Sequence, residues 1–255
     1  MLFNTLRSEF TKLITTKSFW WTTAIFLIIS WGWAFAAAKF SGDGLDGVSA
    51  VNTAALTLPI LIIGLPVLMI QAIMVVTTEY RYGVQVPTYL ANPNRVAVAA
   101  VKLFMYGVIA AILAFLAVAG AYLIGDTLSS DMVAETFHPF DDDAGKRNLW
   151  GFPLATFLAV FFAQGLGLLL RQTAGTVAVT LILFLGLDQL ITFVPKIGDK
   201  LVNFSPFGAL MNWLNNVAPT DAPWGESVTG YLWVFVAWAV ALWVTGVALL
   251  VKRDA

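Results

Sequence analysis

Leu103–Gly125 reads LFMYGVIAAILAFLAVAGAYLIG, an apolar run with no charged side chain. A helix rising about 1.5 Å per residue needs about 20 such residues to cross a hydrocarbon core about 30 Å thick. The run therefore predicts a transmembrane helix. Five more stretches pass the same test: Phe19–Ala38, Thr53–Val76, Gly151–Leu170, Thr173–Val194 and Gly230–Val251. In chain order, the fourth and fifth spans are separated only by Arg171 and Gln172, which predicts a tight helical hairpin. No period-two alternation of the kind that marks a membrane barrel occurs. The expected fold is an all-α integral membrane protein with six transmembrane helices, forming one transmembrane domain over residues 1–255.

The whole-chain composition agrees with these spans. Of 255 residues, 59% are hydrophobic and 11% charged, and the mean hydropathy is +0.82. A soluble domain carries about 25% charged residues, so this chain cannot cover a water-facing surface. The formal net charge of −1 and the lack of a basic block give no sign of nucleic-acid binding. There is no cysteine, which excludes disulfides and thiol chemistry. The N-terminal stretch imitates a signal peptide, with Lys12 and Lys17 before an apolar run. Phe19–Ala38 is longer than the usual h-region, and an uncleaved signal anchor is expected.

Lysine and arginine set the orientation. One side holds Arg7, Lys12, Lys17, Arg81, Arg95, Lys102, Arg171, Lys252 and Arg253; the other holds Lys39, Lys146, Arg147, Lys196 and Lys200. Carboxylates split the opposite way, with Glu9, Glu79 and Asp254 on the first side and eleven on the second. Both termini are thus expected in the cytosol, in a multi-pass protein of the cell membrane. Trp20 and Trp21 on one side, and Trp150 and Trp224 on the other, suit interfacial belts.

Two cytosolic segments stand out. In residues 1–18, Phe3, Leu6, Phe10, Leu13 and Ile14 recur at helical spacing with Arg7, Glu9, Thr11 and Lys12 between them. This predicts an amphipathic helix lying in the interface; the plainer reading is a simple anchor with positive-inside charges. The loop over residues 78–94 begins Thr78-Glu79-Tyr80-Arg81-Tyr82-Gly83. Glu79 through Val86 has room for about two helical turns, with Pro87 and Asn92-Pro93-Asn94 expected to turn the chain back. Tyr80, Arg81 and Tyr82 offer contact area and hydrogen-bond donors to a soluble partner. The alternative is an interfacial loop whose tyrosines sit among headgroups.

Four stretches resemble the ABC-2 type permeases of ATP-binding-cassette transporters. Leu6-Arg7-Ser8-Glu9-Phe10-Thr11-Lys12-Leu13 resembles the family's opening before span one. Glu79-Tyr80-Arg81-Tyr82-Gly83 resembles its signature after span two. Residues 165–174, GLGLLLRQTA, resemble its link between spans four and five, and residues 204–209, FSPFGA, its external segment before span six. The resemblance implies an elbow helix carrying Arg7, Glu9 and Lys12. It also implies a coupling helix at Glu79–Gly83 that docks on an ATPase subunit, and a complex of two permeases with two ATPases. The second permease is then an identical or a paralogous chain. No G-x-x-x-x-G-K-[ST] phosphate loop occurs, so no cofactor is expected on this chain, and Mg-ATP would belong to the separate ATPase subunits.

Polar residues inside the spans are the remaining candidates. Asp188, with Gln189 beside it, falls in the outer third of span five, where an ionisable group costs at least ~2.5 kcal/mol on insertion scales. It is either a gate or substrate contact near the external exit, or a structural hydrogen bond; the family often has glutamate here. Gln71 and Gln164 lie at similar depth in the inner thirds of spans two and four. They either line an inward vestibule or bond across helices. The external loop over residues 195–229 contains Leu201–Val217, too short to span, with Pro206 and Gly208. It suits short re-entrant helices. His138 with Asp141, Asp142 and Asp143 is read as an acidic external loop rather than a cation site, since no ligand spacing is recognisable. No nucleophile–base constellation marks an enzyme.

The resulting expectation is the permease subunit of an exporter for a hydrophobic or amphipathic substrate. The rival expectations are an ion-coupled secondary transporter using Asp188 and a non-transporting regulatory or immunity subunit. Charge reversal at Glu79 or Arg81 is expected to uncouple ATP hydrolysis from transport and leave the spans folded.

Overall fold

The computed structural model describes residues 2–40, 51–129, 136–186, 190–191, 193–194 and 198–253. Among these residues the regular structure is all helical. In chain order the helices are α1 (Leu2–Thr15), α2 (Lys17–Phe40), α3 (Thr53–Tyr82), α4 (Gln85–Ala91), α5 (Arg95–Leu128), α6 (Asp143–Leu170), α7 (Thr173–Leu185), α8 (Gly198–Val202), α9 (Pro206–Leu214) and α10 (Thr229–Arg253). Five of them, α2, α3, α5, α6 and α10, are long and apolar enough to cross a membrane.

Five of the six predicted spans overlap these five helices, whose ends differ from the predicted ones by up to eight residues. Helix α5 is 34 residues long, about 51 Å at 1.5 Å per residue, and begins eight positions ahead of the predicted Leu103. At the predicted fifth span, the described helix α7, Thr173–Leu185, has 13 residues, about 20 Å of helix, and residues 187–189 and 192 of that span lie outside the described residues.

Chain contacts divide the protein into two compact units. One comprises Thr16–Leu68 and Val108–Thr156. In it α2 packs on the first half of α3 through Phe26, whose ring occupies the place a side chain on Gly64 would take, 2.6 Å from that position. Gly64 closes a π-helical stretch, Ile60–Gly64, where Leu65 N–H reaches back five residues to the Ile60 carbonyl. Pro66 explains the widening: it has no N–H to give and its ring would strike the carbonyl four residues back. The Trp33 indole donates to the Ala55 carbonyl at 3.0 Å and that of Trp31 to Leu116 at 3.3 Å. His138 heads a turn, its carbonyl accepting from the N–H groups of Asp141 and Asp142.

The other unit comprises Met1–Thr15, Met69–Gly107 and Phe157–Ala255. Its apolar centre is the buried helix α9, where Pro206, at the first helical position, and Gly208 are both enclosed. Phe207 sits against Phe162 of α6, Phe184 of α7 and Phe235 of α10, with ring centroids 4.9, 5.2 and 5.6 Å apart. Asn203 accepts from the Tyr231 hydroxyl and donates to the Thr220 carbonyl, both at 2.9 Å. Helices α6 and α10 meet backbone to backbone: a Cβ on Gly165 would lie 2.7 Å from Trp243 N, and one on Gly246 2.9 Å from Gly165 O. Small residues permit this approach, as in membrane helix pairs generally.

Candidate functional site

In this second unit, three helices, α1, α3 and α5, converge on a closed ring of ions. Lys12 Nζ of α1 donates to Glu9 Oε1 at 2.6 Å and to Glu79 Oε1 of α3 at 2.8 Å. Lys102 Nζ of α5 donates to the same Glu79 oxygen at 2.8 Å and to Glu9 Oε2. Glu9, Lys102 and Glu79 are 3%, 5% and 8% exposed. Two positive and two negative charges therefore satisfy one another, three of them buried and the fourth, Lys12, partly exposed. A group removed from such a set leaves its partner charged and buried.

Helix α1 is turned to allow this. The side that packs inward mixes the two kinds, carrying Thr5, Glu9, Lys12 and Leu13, while Phe3, Leu6 and Phe10 of the apolar stripe are exposed. Asn92 Nδ2 also donates to Thr5 Oγ1 on that face, at 3.0 Å. Arg7 points outward and is exposed. Burial pulls the Lys12 ammonium toward a lower pKa, but its hydrogen bonds and charge contacts with Glu79 and Glu9 outweigh this and hold it above the ordinary value.

The segment Glu79–Gly83 is divided by the fold. Glu79 and Tyr80 face inward as the last turns of α3, whereas Arg81, Tyr82 and Gly83 are exposed. The Arg81 guanidinium lies over the Tyr82 ring, 5.5 Å from its centroid. Gly83 has φ +69, and Val84 N–H bonds back to the Glu79 carbonyl at 3.0 Å. This is the left-handed helix stop for which glycine is the natural residue.

The chain then starts a separate helix, α4, rather than turning at Pro87 as expected. Pro87 is in its first turn, where a missing N–H leaves no bond unmade. The reversal falls at Asn92–Asn94, where Asn92 Oδ1 accepts from Asn94 N–H and Asn94 Oδ1 caps α5 by accepting from Ala97 N–H. Thr88, on the inner side of α4, accepts from Lys12 Nζ at 3.1 Å. Tyr82, Val84, Val86 and Leu90 form the exposed apolar face, Leu90 at 80%.

The link between α6 and α7 reaches the same place. Arg171, at φ 54, puts its guanidinium 4.9 Å from the centroid of the Tyr80 ring. Thr173 and Thr77 share a hydroxyl hydrogen bond of 2.8 Å. The Tyr80 and Tyr89 hydroxyls are 3.4 Å apart.

Of the other predicted residues, Gln71 is buried and accepts from the Tyr106 hydroxyl at 2.5 Å. Gln164 is fully buried, and its Nε2 donates to the Lys102 carbonyl at 3.4 Å. Asp188 and Gln189 lie outside the described residues. Pro206 and Gly208 belong to the packed core around Phe207, in the same unit but as part of a different cluster.

Sequence reasoning missed Lys102, counting it only as a positive charge on one side. The signal was present: Val98, Ala99, Lys102 and Tyr106 recur at three- and four-residue spacing, so Lys102 lies on the buried stripe of α5. Comparison of the chain with protein-family models and with curated proteins gives no match. The resemblance to ABC-2 permeases rests on the four quoted stretches; two of them supply Glu9, Lys12 and Glu79 of the ring, and residues 165–174 contact Tyr80 and Thr77 beside it.

Proposed function

We propose that the chain is the membrane-spanning permease subunit of an ATP-binding-cassette exporter. The observation that carries the reading is the ion ring. It joins the elbow helix, the end of span two and the start of span three into one block, while Arg81, Tyr82 and the outer face of α4 stay outside it. Those exposed groups have the aromatic, apolar and arginine character of a protein contact. By the charge asymmetry this end is cytosolic.

In this reading a separate ATPase subunit docks on α4 and the exposed half of the signature. Mg-ATP is bound and hydrolysed there, not on this chain. Closure of two ATPase subunits pushes α4, and the ring passes the push into α1, α3 and α5 together. A hydrophobic or amphipathic substrate leaves between this chain and a second permease, identical or paralogous. It passes the re-entrant segment over residues 195–229 and Asp188 and Gln189 at the external exit.

Reconstituted complexes test this. Arg81→Glu is expected to lower transport-linked ATP hydrolysis about tenfold, the loss of one contact worth more than 1 kcal/mol, without altering the fold. Substrate movement by the purified chain with no ATPase present would sink the reading.

A further inference from the structure

A small cavity lies beside the ion ring, lined by Glu79, Tyr80, Tyr89, Lys102, Gln164 and Leu168 among others. The volume open to the centre of a water molecule is about 10 Å³, close to the need of one water and too little for two. Gln164 also lines it, and the Oε1 atom of this wholly buried side chain has no hydrogen-bond donor among the described residues. A buried acceptor left unmet costs about 1–3 kcal/mol. Lys102 Nζ has three donors, of which two go to Glu9 and Glu79.

From this geometry we propose that the cavity binds a single ordered water, which donates to Gln164 Oε1 and accepts the third N–H of Lys102. A cation does not suit the site, because the Lys102 ammonium already lines it. An apolar filling leaves Oε1 unmet. With the water in place, Gln164 grips Lys102 twice: its Nε2 holds the main-chain carbonyl, and its Oε1 holds the side-chain ammonium through the water. Gln164 is thus a positioning residue for the ring, tying α6 to it.

Radiolytic hydroxyl-radical labelling of the full-length protein in nanodiscs tests the site, with H2¹⁸O as the probe. Leu168 lines the cavity and is only 3% exposed, whereas Leu210 in α9 is fully buried away from it. A bound water next to Leu168 is expected to raise its oxidation about tenfold over Leu210, with ¹⁸O entering slowly as the trapped water exchanges. Gln164→Leu is expected to bring Leu168 down to the Leu210 level, and Gln164→Glu, which keeps an acceptor, to preserve the labelling. Equal, negligible labelling of Leu168 and Leu210 in the unaltered protein would overturn the proposal. So would Leu168 labelling that Gln164→Leu leaves unchanged in a protein with the same melting temperature.

Discussion

Lys102 carries a charge into a place where it is only 5% exposed, and two carboxylates answer it. Lys102→Met would leave Glu9 and Glu79 facing Lys12 alone, and is expected to cost about 3–5 kcal/mol, read as a lowered melting temperature. Lys12 is more than a third exposed on its side chain, so Lys12→Met is expected to cost clearly less. Its raised pKa also fixes a pH dependence. A folded value above the unfolded one means the stabilisation is full below the ordinary lysine value of 10.5 and is lost as pH rises through the folded value. The melting temperature of the unaltered protein should therefore fall more than that of Lys12→Met as pH rises above about 10.5.

Glu79 and Arg81, two positions apart in the sequence, separate at this scale. Arg81 is exposed, and its reversal should change stability by no more than about 0.5 kcal/mol. Reversal at Glu79 would place three positive charges around Glu9, and is expected to unfold the ring rather than leave the spans intact. Melting curves of Arg81→Glu and Glu79→Lys side by side decide this. If both variants melted like the unaltered protein, the ring would not be the stabilising contact described.

At the scale of elements, the long apolar helices were legible because a charge-free run of about 20 residues has few other folds open to it. Boundaries held less well where the decisive physics is tertiary. Helix α5 starts at Arg95 because its first turns pack Val98 and Ala99 inward and bury Lys102 in an ion pair, which a hydropathy count scores as loop. Helix α1 was recognised by its period, yet which face packs inward depends on Lys102 and Glu79, both far away in sequence. The stop at Gly83 was readable from glycine itself; the helix after it was not, because Pro87 marks a turn and a first helical turn equally well. Gly83→Ala is expected to cost about 1 kcal/mol through the left-handed backbone alone. At Gly165, where backbones touch, a leucine must push α10 from α6 and should cost more, of the order of 1–3 kcal/mol. Equal melting temperatures for Gly83→Ala and Gly165→Leu would contradict the close α6–α10 packing.

For the whole molecule, the central claim is that the ring turns three helices into one lever, and that an ATPase subunit works the lever through the exposed face of α4. The most direct measurement is the binding of this chain, in nanodiscs, to the ATP-binding-cassette ATPase proposed as its partner. Leu90→Glu, at a side chain 80% exposed and outside the ring, is expected to weaken binding by at least about thirtyfold, roughly 2 kcal/mol, while the melting temperature stays put. Binding that survives Leu90→Glu and Tyr82→Glu together, with ATP hydrolysis still coupled to transport, would contradict the account.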